Sequence, residues 1–149
     1  MMRMRLLPAV LMFFCAWAAS LRADLKPALA QSNLGKRSKL ALDNAAVALK
    51  AAREAYAKND NEKVAAAVGE IQQSVDLAYD SLMKTGKNPR NSPRWFKAAE
   101  IATRDLSKKL DTFQRDMDYA DRAMLDKVKA RVQQVHEELL LGLMEGKRK

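Results

Sequence analysis

The sequence predicts an all-α protein, an up-down-up-down antiparallel four-helix bundle preceded by a cleaved signal peptide. Three observations carry that expectation. Apolar residues recur at alternating steps of three and four in four separate segments, which lines one stripe of an α-helix and does not fit the alternation of a strand. Glycine (5) and proline (4) are too scarce in 149 residues for a sandwich or barrel with many tight turns. A basic start followed by a short apolar run opens the chain in the pattern of an export leader.

The leader comes first. Arg3 and Arg5 precede the apolar run Leu6 to Ala19, 14 residues long. A helix of that length falls short of a hydrocarbon core of roughly 30 Å. Small residues follow, and cleavage fits after Ala18, Ser20 or Ala23, with Ala30 a more distant site. Residues 1–23 are therefore read as leader, with the cut between 18 and 30; a short retained anchor is the alternative. Cys15 follows Met12, Phe13 and Phe14 rather than the small residues of a lipoprotein signal, so it belongs to the leader. The exported chain then has no cysteine, which excludes a disulfide framework and any cysteine-based zinc or iron–sulfur site. Its expected location is periplasmic or extracellular. Residues 24–37 are expected to form a flexible lead.

The first predicted helix, 38–58, has a stripe of Leu42, Ala45, Leu49, Ala52 and Tyr56. The second, 62–85, has Val64, Val68, Ile71, Val75, Ala78 and Leu82. The third, 93–117, has Phe96, Ala99, Thr103, Leu106, Leu110, Phe113 and Met117, and the fourth, 121–145, has Leu125, Val128, Val132, Val135 and Leu139. Asn59-Asp60-Asn61 ends one helix and caps the next, and Gly86, Ser92 and Pro93 suit a C′ position, an N-cap and a first turn. Asp118 and Asp121 are placed to accept from the free N–H groups opening the fourth helix. Gly69 interrupts the second helix, where close helix approach or a mild kink is expected. Helices of about 20–25 residues match one another at roughly 30–37 Å. Short junctions make antiparallel neighbours the economical packing, although two hairpins swapped into a dimer use the same stripes. The exposed faces offer the pairs Glu54–Lys58, Glu100–Arg104, Asp105–Lys109 and Asp111–Arg115, each worth a few tenths of a kcal/mol.

Catalytic and cofactor motifs are missing from the sequence. His136 is the only histidine and lacks the second histidine of a zinc-protease motif, so it is read as an ordinary boundary residue. No nucleophile elbow, P-loop or covalent haem-attachment motif occurs. A non-covalent haem of the bundle-cytochrome kind needs a first-helix methionine, and none lies between Leu40 and Lys58. Met83, Met117, Met124 and Met144 are read as core and end fillers. The expectation is no enzyme, no cofactor and no metal.

One constellation survives, the distribution of charge. The chain carries a formal +9, and loss of Arg3, Arg5 and Arg22 with the leader leaves 24 basic against 18 acidic residues, about +6. In an antiparallel bundle the start of the first helix, the 85–92 loop and the C-terminus share one end. Lys36, Arg37 and Lys39, then Lys84, Lys87, Arg90, Arg94 and Lys97, then the tail Lys147, Arg148 and Lys149 fall there. Asp60, Glu62, Asp116, Asp118, Asp121 and Asp126 fall at the other. Trp95 enters the third helix at the basic end as an expected interface aromatic, while Phe96 belongs to the core stripe. Helix dipoles and solubility account for such cations in many proteins. The functional expectation is a non-enzymatic interaction module whose basic end contacts an anionic envelope component or an acidic protein. Few aromatics and an export leader speak against nucleic acid. The alternative is a protein–protein scaffold or self-associating bundle using leftover apolar surface such as Leu140, Leu141 and Leu143. No transmembrane span is expected once the leader is removed.

Overall fold

The computed structural model describes residues 23–145; residues 1–22, which hold nearly all of the predicted leader, and the basic tail Lys147, Arg148 and Lys149 lie outside the described residues. The described chain is helical and packed as a helical bundle. It comprises α1 (Lys26–Ala30), α2 (Leu34–Ala57), α3 (Asn61–Lys84), α4 (Pro93–Asp116), a 3-10 segment (Tyr119–Leu125) and α5 (Asp126–Met144).

The helix stripes form the core. Leu49, Ile71, Val75, Leu106, Leu110, Phe113, Val128, Val132 and Leu139 are all buried. Alanine dominates the buried face of α2, with Ala41, Ala45, Ala48 and Ala52 fully enclosed. Short side chains let α2 and α3 run close together along their whole length. Among them is one polar tie. Asn44 donates to Ser74 Oγ and Glu70 Oε1, 2.9 Å each, and its Oδ1 accepts the N–H of Asp24 at 2.7 Å. Both of its N–H groups and its carbonyl oxygen are engaged, so its burial is compensated.

The lead departs from expectation. Residues 24–37 are not a structureless approach: α1 lies on the core through Ala28, and α2 begins at Leu34 rather than 38. Asn33 caps it, accepting from Lys36 N at 3.0 Å. Gly35 and Ser38 extend the stripe backward at the same spacing and are buried. Neither is apolar, so hydrophobic periodicity misses that first turn.

The fourth helix also starts late, at Asp126 rather than 121, because residues 119–125 wind as a 3-10 segment. Asp118 and Asp121 do not cap it as expected. The Tyr56 hydroxyl accepts the Asp118 N–H at 2.9 Å and donates to Asp121 Oδ2 at 3.0 Å, and no side-chain cap forms at Asp118. The end of α2 thereby holds the α4–α5 junction, taking the backbone N–H of Asp118 and the carboxylate of Asp121. Ser92 occupies the N-cap of α4 without a side-chain cap bond, and Gly86 takes the expected left-handed C′ conformation at φ 64°.

The order of packing is a further difference. Contacts within the hairpins α2–α3 and α4–α5 are the most extensive, but the hairpins meet as α2 on α4 and α3 on α5. These cross-hairpin neighbours point the same way. Gly35 faces Trp95 at one end while Arg53 reaches Asp116 at 2.9 Å near the other. The 85–92 loop is long enough to carry the chain across the first hairpin, so α4 need not lie beside α3.

Two smaller expectations are corrected. Of the four anticipated surface pairs, only Glu100–Arg104 forms among the described residues, at 3.6 Å; Asp111 instead pairs with Lys129 across helices at 2.7 Å. Gly69 is neither a close-approach site nor a strained one, since a Cβ there meets nothing within 4 Å. Gly69→Ala is accordingly expected to stabilise the protein by about 0.4–1 kcal/mol, through helix propensity and a less flexible unfolded chain. A thermal melt that stays put or falls contradicts this reading of α3.

Candidate functional site: the basic end of the bundle

The basic end is assembled by local capping and one aromatic contact. Asn33 starts α2, Thr85 ends α3 by donating to Leu82 O at 2.6 Å, and Pro93 opens α4. Trp95 then lies against Gly35, joining the first turns of α2 and α4. On the far side Gly142 of α5 approaches Pro89, where an added Cβ would stand 3.2 Å from its ring. A cleft of about 220 Å³ opens among these segments, walled by Leu34, Leu82, Trp95 and Phe96 and rimmed by Asn33, Thr85, Ser92 and Lys87.

The cations named from the sequence divide into three groups. Lys36, Lys84, Lys87, Arg90, Arg94 and Lys97 are exposed around this end, and none has a carboxylate within 4.0 Å among the described residues. Arg37 and Lys39 are engaged: Arg37 Nε donates to Gln31 O at 2.9 Å, and Lys39 pairs with Asp43 at 2.8 Å. Lys147, Arg148 and Lys149 lie outside the described residues.

Trp95, the expected interface aromatic, also has partners inside the fold. It is half-buried against the core, its indole occupied by Gly35, and Arg94 stacks over it at 4.7 Å from guanidinium carbon to ring centroid. Its role in the structure is to bind two helix starts together and to hold Arg94 at the rim.

Helix dipoles do not explain this charge. Lys84 lies in the last turn of α3, where a cation is favourable. Lys36, Arg37, Arg94 and Lys97 crowd the opening turns of α2 and α4, where the dipole disfavours positive charge, and neither helix has an acidic residue in its first turn. The acidic end is organised differently. Asp116 is held by Arg53, Asp121 by Tyr56, Asp126 by Gln114 Nε2 at 2.8 Å, and Asp60 caps α3. Four carboxylates at one end are occupied within the fold, whereas six cations at the other face solvent.

Groups with displaced titration lie away from the basic end. The Tyr79 hydroxyl beside Glu138 holds that carboxyl below its usual range, and the same neighbour raises the tyrosine. The hydrogen bond from Arg131 Nε to Asp76, 2.6 Å, raises the guanidinium further. His136 Nδ1 stands 3.7 Å from Glu100 Oε1 in the α4–α5 interface and is buried without a hydrogen-bond partner. No group of three or more metal-ligating side chains occurs among the described residues.

Burial divides the methionines expected as core and end fillers and the leucines expected as leftover apolar surface. Met83 and Met144 are 45% and 55% exposed, so they do not act as fillers; Met117 is buried and Met124 half-buried. Leu140 and Leu141 are exposed, whereas Leu143 packs on the core. A broad groove of about 690 Å³ also runs between α2 and α3, floored by Ala51, Ala55, Ala66 and Ala67, with charges of both signs along its rim. No helix among the described residues is long and apolar enough to cross a membrane. Comparison of the chain with protein-family models, with curated proteins and with solved structures returns no match.

Proposed function

We propose that the protein is an exported, non-enzymatic helical bundle of up-down-up-down connectivity that contacts an anionic partner through its basic end. The observation that carries this reading is the set of six exposed cations with no carboxylate within 4.0 Å among the described residues, several of them at helix starts where they weaken the helix. A charge arrangement that costs local stability and is not neutralised internally is complementary to an external anion. The cations ring the end instead of converging in a closed cavity, which favours an extended anionic surface over a small ligand.

The test is retention on an immobilised polyanion such as dextran sulfate. Wild type is expected to bind at about 0.1 M salt and to elute well before about 1 M, as the screening length falls from about 10 Å to about 3 Å. Replacing Lys84, Lys87, Arg90 and Arg94 with glutamine is expected to weaken retention at least tenfold without changing the helical spectrum. Equal retention of that variant and wild type refutes the assignment to this end. A quadruple substitution of Lys108, Lys109, Lys127 and Arg104 provides the control for net charge.

A further inference from the structure

Four exposed apolar side chains lie at the ends of the same elements. Met83 immediately precedes Lys84 at the end of α3, and Leu140, Leu141 and Met144 occupy the last turns of α5, which lie against the 85–92 loop. Leu141 and Met144 are 57% and 55% exposed, more than half their surface in water. The end therefore presents two chemistries together: cations without internal partners, and protruding unaromatic apolar side chains on flexible stems.

We infer that the anionic partner is a lipid bilayer surface, met end-on, with Lys84, Lys87, Arg90 and Arg94 on the headgroup phosphates and Met83, Leu141 and Met144 inserted among the upper acyl carbons. The inference rests on the anionic-partner reading and adds the identity of the anion. Three features select the bilayer. A soluble polyanion satisfies the cations but offers nothing to leucine and methionine. An acidic protein needs a concave surface to receive the convex end of a helical rod, whereas fluid lipid adapts to it. Leucine and methionine also tolerate a disordered environment better than a fixed complementary pocket requires. No helix among the described residues is long and apolar enough to span, so the contact proposed for the bundle is peripheral.

The experiment uses the full chain and vesicles of phosphatidylcholine with phosphatidylglycerol, against phosphatidylcholine alone. The leader is common to every variant, so differences between variants read the bundle. Wild type is expected to co-sediment with the anionic vesicles and to retain part of its binding at about 1 M salt, where surface charge is screened. Met83→Ser, Leu141→Ser and Met144→Ser combined are expected to reduce vesicle binding about tenfold or more and to abolish the salt-resistant part, while leaving dextran sulfate retention unchanged. Orientation is read separately by a polarity-sensitive fluorophore at Met144→Cys or at Tyr119→Cys, both in a Cys15→Ser background. Tyr119 is 88% exposed near the opposite end, and only the probe at 144 is expected to shift on adding anionic vesicles.

Each contrary result is decisive. Polyanion retention with vesicle binding indifferent to the triple serine variant leaves the anionic reading standing and overturns the bilayer. Equal shifts at 144 and 119 overturn end-on contact. A concentration-dependent dimer that the serine variant abolishes, with no vesicle binding, assigns the apolar side chains to a second copy of the chain. Failure to bind polyanion and vesicles alike removes both proposals.

Discussion

Phe113→Ala is expected to cost about 3–5 kcal/mol of folding stability and to lower the melting temperature by roughly 10–20 °C. The ring is 1% exposed, so truncation leaves a cavity instead of a surface dimple. The neighbours cannot close over it easily. Tyr56 meets the ring edge-on with centroids 5.9 Å apart, and Tyr56 is itself committed through its hydroxyl to Asp118 and Asp121. Arg53 lies over the same ring at 5.4 Å while paired with Asp116. Relaxing into the void therefore breaks the contacts that join α2 to the α4–α5 junction. Denaturant unfolding followed by circular dichroism measures the loss. A loss under about 1.5 kcal/mol shows that the junction collapses freely, and that the packing described around Tyr56 is wrong.

Gly35→Leu is the second large expected loss, about 3 kcal/mol. Two effects oppose each other here. Leucine is a better helix former than glycine by up to about 1 kcal/mol, which alone would stabilise α2. Against it, any Cβ at Gly35 falls within the van der Waals envelope of the Trp95 indole, and a rigid ring cannot fold away like a long aliphatic chain. Overpacking of a well-filled site costs about 1–3 kcal/mol and occasionally more, and displacing Trp95 also removes its burial. The steric effect wins. Pairing the change with Trp95→Ala separates the causes: if the conflict is the indole, the double variant is more stable than additivity predicts. Strict additivity of the two losses rejects the contact. The same displacement unseats Arg94, so vesicle and polyanion binding are expected to fall along with stability.

Much of the architecture is legible in the amino-acid order, and the exceptions share a cause. Leu49, Ile71, Leu110 and Val132 are recognisable as core because a repeat of three and four is a local property of any helix with one dry face. Gly35 and Ser38 belong to the same stripe but escape notice, since their burial comes from smallness and not from hydrophobicity. Asp118 and Asp121 read as helix caps on local grounds; Tyr56, more than sixty positions away, takes the carboxylate of Asp121 and the backbone N–H of Asp118. Met83 and Met144 read as fillers because methionine composition carries no information about which side of a helix end remains uncovered. Trp95 reads as an interface residue beside cations, yet the glycine facing it gives it a partner inside the fold.

Amino-acid order alone establishes that the described chain is helical, where α3 and α4 begin, where α2 to α5 end to within a residue, and that positive charge gathers in three segments. Periodicity and capping act over a few residues, so they survive without knowledge of the whole. Packing between distant segments sets the rest: α2 lies on α4 and α3 on α5, Arg37 and Lys39 are engaged while six other cations have no carboxylate in reach among the described residues, and exposed apolar side chains stand near the ends of α3 and α5. Those outcomes depend on shape complementarity between faces distant in the chain. A stripe records that a surface is covered; its partner is chosen by how small and large side chains interlock across the gap.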